Sequence, residues 1–359
     1  MNARISPIAA TTALCLLFAA PSATAQAPVP NRNLPEVRWD LSLWGASRAV
    51  TQPGERWAAA MKQRTGGKWE IKLHFGATLS QPRDNVDGIR SGLFQMAMQC
   101  PTFHPGKTPL STVYDLPFAA VNSIRVQTSL LDAIYRHPNV ADEMLRRWNA
   151  VHVLPLPTPA HSLISVKPIR DIADFRGLRA SVPGGVADVL TQFGMVQTLL
   201  DASESYVSLD QGILQAVSFP HTYAHSAFRL HEVAKSYMLD LPLGTAGCDF
   251  VANATEWRKL PAEWIKIHED YVKNELTADF EKTYSAAIVK DIGKDETCGP
   301  GTTFGDAGVK CIRFPADSLR KLVQASDPLY KKWIEANQPN GKKLFDFMIS
   351  TRDQLAASK

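Results

Sequence analysis

Two stretches of this chain repeat the same order of strand, helix and strand. That order constrains the fold most, because strands joined by covering helices build a largely parallel sheet. In the first stretch VRWDLSLW (37–44) alternates like a strand. A helix with Trp57, Ala60 and Met61 on its inner side follows and stops at Gly66-Gly67. WEIKLHF (69–75) reads as a second strand, DNVDGIRSG (84–92) as a short helix ended by Gly92, and FQMAMQC (94–100) as an apolar strand running into Pro101. The second stretch begins with AVHVLPLP (150–157), LISVKPI (163–169) and LRASVP (178–183) as strands. The helix GGVADVLTQFG (184–194) comes next, and MVQTLL (195–200) opens another strand. TAGCDFVAN (245–253) is strand-like again, and residues 260–292 form one long amphipathic helical stretch with its charges outward. The 359 residues exceed what one hydrophobic core usually holds, so an α/β fold of two lobes with more than one connecting segment is expected.

The first 25 residues read as an export signal, with Arg4 ahead of an apolar run over 8–20 that is too short to span a bilayer and Ala23-Thr24-Ala25 at the cleavage positions. Cys15 follows Leu14 rather than a small residue, which argues against lipid attachment. A cleaved leader puts the mature chain in the periplasm. The net charge of +4 is scattered rather than blocked, so no nucleic-acid surface is expected. Oxidising conditions favour a disulfide between Cys298 and Cys311 across the loop CGPGTTFGDAGVKC. Cys100 and Cys248, far apart in sequence, either pair or remain buried thiols.

Several motifs then occur in a fixed order: TGGKWEIKLHFGATLS, VDGIRSGLFQMAM, VYDLPF, IRDIADFRGLRASVP, ESYVSLDQG and HEVAK. Together they resemble the DctP-type extracytoplasmic solute receptors of tripartite ATP-independent periplasmic (TRAP) transporters, over roughly residues 38 to 290. The resemblance implies a type II clamshell with a long hinge-spanning helix. Lobe I would comprise 36–158 plus 246–285, lobe II 159–245 plus 286–345, with the ligand cleft between them. It implies a receptor rather than an enzyme, without cofactor, passing a small solute to membrane permease subunits. An ABC-type binding protein is the alternative, and an enzyme on the same fold a more distant one.

Family ligands are often organic acids held by an arginine two residues before the Pro of the Val-Pro motif, where a guanidinium forms a bidentate pair with a carboxylate. Here that position is Ser181. Arg179 shares its strand parity and is the nearest substitute. His161 stands where relatives place a cationic or polar contact; it can donate to an anion when protonated or accept when neutral, and if it binds as an imidazolium, affinity should weaken as pH rises. Phe219 replaces an Asn before Pro220. These departures imply an atypical, partly apolar pocket for an organic acid, aromatic ones included, or for an uncharged solute. Trp44 and Tyr223 are expected wall residues. Ser47 and Arg48 follow the first strand, Cys100 ends a strand at an equivalent edge, and Glu204 opens the ESY helix as an acceptor for a ligand hydroxyl. His221 and His225 have metal-ligand spacing, but no HExxH glutamate accompanies them, and they read as decoration of a solvated helix.

Overall fold

A computed structural model describes residues 34–358 apart from 120–122, 199 and 201, so the expected signal at 1–25 lies outside the described residues. In chain order the first stretch comprises β1 (Val37–Ser42), α1 (Gln52–Arg64), β2 (Trp69–His74), α2 (Asn85–Ser91), β3 (Met96–Gln99), α3 (Ile124–Arg136), α4 (Pro138–Trp148) and β4 (Ala150–Pro157). The second comprises β5 (His161–Ser165), β6 (Arg179–Ser181), α5 (Gly184–Thr191), β7 (Val196–Gln197), α6 (Ser205–Asp210), β8 (Ala216–Pro220), α7 (Tyr223–Ala227) and β9 (Ser236–Leu239). The chain then runs through β10 (Gly247–Asn253), α8 (Ala254–Trp257), α9 (Ala262–Tyr271) and α10 (Thr277–Ile292). It ends in α11 (Thr303–Asp306), β11 (Lys310–Arg313), α12 (Ala316–Gln324), α13 (Asp327–Ala336) and α14 (Gly341–Ala357).

Two sheets result, ordered β2-β1-β3-β10-β4 and β11-β9-β5-β8-β6-β7. Both are mixed, which corrects the expectation of largely parallel sheets. β1 is parallel to β2 and β3, but β10 runs antiparallel to both β3 and β4. In the second sheet β5 is antiparallel to β8 and β9, while β6 is parallel to β7 and β8. The reversed strands β5 and β10 are the two that the chain enters directly from the other sheet, so no covering helix sets their direction.

Each sheet has an apolar cluster on each face. On the α1 side of the first sheet Trp57, Trp69 and Trp39 meet edge to face, and Trp264 stacks on Trp69. Gly54 of α1 lies so close to β10 that an added Cβ would fall 2.4 Å from the Phe250 ring, so only glycine permits this approach. Gly92 ends α2 at φ 74°, the left-handed C-cap its position predicts.

The long helical stretch is α9, a π-helical turn over Val272–Leu276, and α10. Asp279 of α10 pairs with Arg56 of α1 at 2.8 Å, while Asp291 near its far end accepts from Ser226 of α7 at 2.9 Å, so α10 bridges both sheets. The last two helices return to the first sheet. Tyr330 donates to the Pro117 carbonyl, Trp333 to Thr112, and Leu344 and Met348 complete the cluster beneath α3. The expected run of 286–345 in the second lobe therefore meets different packing: Tyr330, Trp333, Leu344 and Met348 of α13 and α14 pack on the first sheet, while Leu329 still packs on the second. Among the described residues no helix is long and apolar enough to cross a membrane.

Candidate functional site

Among the described residues the chain passes between the two sheets four times: in the segment after β4, in the segment between β9 and β10, along α10, and from α12 to α13. The first two run side by side and are hydrogen-bonded to each other. The His161 amide donates to the Gly244 carbonyl at 2.6 Å, the Leu243 amide to the His161 carbonyl at 3.0 Å, and the Ala246 amide to the Thr158 hydroxyl at 3.0 Å. Tyr284 of α10 ties them to the long helix by donating to the Pro157 carbonyl at 2.7 Å. Loops at the strand ends of both sheets converge beside this hinge.

From the first sheet comes the loop after β1. Trp44 packs edge to face on Phe103 at 5.1 Å, and the Arg48 guanidinium lies over the Trp44 ring at 4.1 Å. Arg48 Nη1 donates to the carbonyls of Trp44 and Ala46, which folds the loop back on itself, whereas its buried Nη2 has no hydrogen-bond partner. Burial lowers the Arg48 pKa, opposed by Tyr223, Tyr284 and Glu55. A guanidinium stays charged in proteins all the same. Ser47 is exposed and donates to the Glu55 carboxylate at 2.8 Å. Cys100 offers no thiol, because it forms a disulfide with Cys248 that joins β3 to β10. The second disulfide links Cys298 and Cys311.

The second sheet contributes Phe219 at the end of β8 and Tyr223 at the start of α7. Both pack against the cluster containing Trp44, Cys100 and Cys248, and the Tyr223 ring lies 5.4 Å from that of Tyr284. His161 is 8% exposed and neither ring nitrogen has a partner. It borders a cavity of ≈ 470 Å³ at the hinge, together with Pro159, His221, Leu241, Tyr284 and Ile288. Beneath it His225 is fully buried, with the Phe219 ring 5.8 Å away, so the expected solvated helix face is not what these histidines occupy. His221 precedes α7 rather than lying on it, and its ring meets the Tyr237 hydroxyl at 2.5 Å.

Two expectations for the charge in this cleft need correction. Desolvation holds His161 down at about 4, so it faces the cleft as a neutral ring and not as the imidazolium that would attract an anion. Burial likewise holds His221 at about 4 and His225 at about 3. Such histidines bind fewer protons folded than unfolded, so stability is present above the ordinary value of 6.5 and declines as pH falls below it. Solute affinity should then be flat from about pH 6.5 to 8 and should not weaken as His161 would require if it were an imidazolium. Titration calorimetry across that range checks this, and a steady loss toward pH 8 would restore the charged histidine.

Arg179 is the second correction. It begins the three-residue strand β6, and its side chain is exposed, donating to the carbonyls of Ile213 and Gly212 at 3.0 and 2.9 Å. Shared parity with Ser181 did not bring it to the same place, because the loop after α6 captures the guanidinium at the far end of the strand. Ser181 is buried and accepts from the Leu200 amide at 3.4 Å. Glu204 is exposed ahead of α6 and is not among the gathered residues. The site thus assembles Trp44, Phe219, Tyr223 and His161 with Arg48, Tyr284 and His225. Only a loop position marked Arg48 in the sequence; its burial depends on α7 and α10, which arrive from elsewhere in the chain.

Residues 42–337 match the sequence profile of the bacterial extracellular solute-binding proteins, family 7 (DctP). The chain is 24% identical over 271 residues to a monocarboxylate 2-oxoacid-binding periplasmic protein of Nostoc sp., covering 72% of this chain and 70% of that protein. Among solved structures it resembles a Bordetella pertussis extracytoplasmic solute receptor binding pyroglutamic acid, with TM-score 0.73 and 19% identity over 87% of this chain and 99% of that one. A marine-metagenome TRAP solute-binding protein specific for aromatic acid ligands superposes with TM-score 0.75 and 17% identity, covering 89% and 99% of the two chains. A Bordetella bronchiseptica TRAP protein with bound mandelate gives 0.73 and 18%, again over 89% and 99%.

Proposed function

We propose that this chain, which belongs to the DctP family of bacterial extracellular solute-binding proteins, closes its two lobes on one small organic acid and hands it unchanged to the permease of a TRAP transporter. The lobes in this reading are the two sheets with their helices, the first comprising 36–158, 246–285 and the C-terminal helices α13 and α14. The leader at 1–25 would direct export to the periplasm. Relatives with the same fold bind pyroglutamate, aromatic acids and mandelate, which makes a small organic acid the nearest chemical class.

One observation carries the reading. Where the two sheets meet, Trp44 Nε1, Arg48 Nη2 and both ring nitrogens of His161 are buried without protein partners. Buried polar groups are nearly always satisfied, and leaving several unpaired in one place costs stability unless something else pairs with them. A solute that bridges both lobes would do so and would thereby favour the closed form. The pocket is atypical in this view, since Ser181 occupies the usual clamp position and Arg179 is spent on the turn at 212–213.

Thermal-shift screening of the purified mature protein against organic acids, aromatic acids, amides, sugar acids and polyols tests the proposal. A binder at 100 times its Kd adds about 2.7 kcal/mol to stability and raises the melting temperature. Recovery of the ligand unchanged is expected. Turnover of the ligand, or no shift with any member of the panel, would overturn the receptor reading.

A further inference from the structure

We propose that Arg48 is the carboxylate anchor of the cleft, supplying from the first sheet's side the charge that β6 lacks, and that the solute it selects is a monocarboxylate with a flat apolar body. This rests on the receptor reading above and adds to it the residue and the ligand class.

Arg48 is the one arginine or lysine buried among the described residues, with 7% of its surface exposed. Burying a cation is expensive unless an anion or a full set of acceptors compensates. Arg48 has only part of such a set: two carbonyls on Nη1 and the Trp44 ring face beneath the guanidinium. No carboxylate lies within ion-pair distance among the described residues, and Glu55 in the following helix is engaged by the hydroxyls of Ser47 and Thr51. The Nη2 donors are left over. The Trp44 ring under this guanidinium packs on the cluster that also holds Tyr223 of α7 and Tyr284 of α10.

A carboxylate is the group that fits this remainder, because it accepts charge-assisted hydrogen bonds from Nη2 and neutralises the guanidinium. One cation matches one anionic group. The neighbouring rings of His161 and His225 are held neutral by burial, so a second carboxylate would meet no opposing charge. Trp44 and Phe103 meet edge to face, and both pack with Phe219 on the same apolar cluster, aromatic surroundings that suit a planar apolar body.

The test compares Kd values for benzoate, mandelate, 3-hydroxybenzoate and phenylpyruvate, each against its primary amide, and for isophthalate, in the parent chain and in Arg48→Met and Arg48→Lys. The parent should prefer acid over amide by roughly 10- to 100-fold. Arg48→Met should bring that ratio close to one, and Arg48→Lys should give an intermediate value, since an ammonium keeps the charge but loses the planar fork. A merely structural arginine gives a different signature, for a collapsed loop would weaken acid and amide alike and leave the ratio unchanged. That result overturns the inference, as does a parent that prefers the amide or isophthalate, or whose only binders in the wider panel are uncharged. The receptor reading survives each of these and fails only if the wider panel yields no binder or a bound solute is turned over.

Discussion

Replacing both Cys100 and Cys248 by alanine is expected to destabilise the protein more than replacing Cys298 and Cys311, by about 2 kcal/mol. A disulfide acts mainly on the unfolded chain, and the chain-entropy relation gives about 5 kcal/mol for a sequence separation of 148 against about 3 kcal/mol for one of 13. Location adds to the difference. Cys100 and Cys248 are buried in the cluster shared by β3, β10 and the cleft aromatics, so alanine there also removes packed sulfur. The Cys298–Cys311 bond closes a loop on the half-exposed edge strand β11. Denaturant midpoints of the two double variants under non-reducing conditions decide the matter. An equal loss, or a larger one from the short loop, would mean that the unfolded chain is not the state these bonds act upon. The cleft should register the difference too, because β10 begins where the hinge segment ends and the longer bond holds it to β3.

The same pair marks the limit of what could be read from residues alone. Alternation and helix stops are local signals, and they made β1, β2, β3 and β4 legible, along with the Gly92 cap and the long helical stretch at 260–292. Strand direction is not local. β5 and β10 have the same apolar pattern whichever way they run, and only their entry from the opposite sheet makes them antiparallel. The pairing of Cys100 with Cys248 depends on that same crossover. In the candidate site, Trp44, His161, Phe219 and Tyr223 were reachable because ordered motifs fix their positions at strand and helix ends. Their protonation and the burial of Arg48 were not, since each depends on side chains dozens of residues away. Arg179 failed for a related reason: parity fixes the face of a strand but not what captures a long side chain at its end.

A non-local network of this kind yields the second large effect: His152→Leu should cost about 3–5 kcal/mol in unfolding free energy. His152 on β4 stands between two carboxylates, with Nε2 3.1 Å from Asp132 of α3 and Nδ1 3.0 Å from Asp249 of β10, and its ring stacks on Tyr135 at 5.0 Å. Burial alone would depress the His152 pKa, but the hydrogen bonds and charges of Asp132 and Asp249 outweigh it and raise the value above 6.5. Burial would likewise raise Asp132, yet the bonds and charges of His152 and Arg136 bring it down to about 2. The stability held by Asp132 is therefore present above its ordinary 3.8 and lost as pH falls through about 2, while that held by His152 is full below 6.5 and lost as pH rises through its folded value. Leucine at 152 strands Asp249, which is wholly buried, without its partner, and the cost is mainly that of an uncompensated buried carboxylate. Apolar replacement of both members removes that cost. His152→Leu with Asp249→Leu should accordingly be more stable than His152→Leu alone, by denaturant unfolding at pH 7. If the second substitution instead deepens the loss, Asp249 is held by something other than the imidazole, with the Tyr135 hydroxyl that reaches Gly247 and Gln99 beside it as the next group to remove.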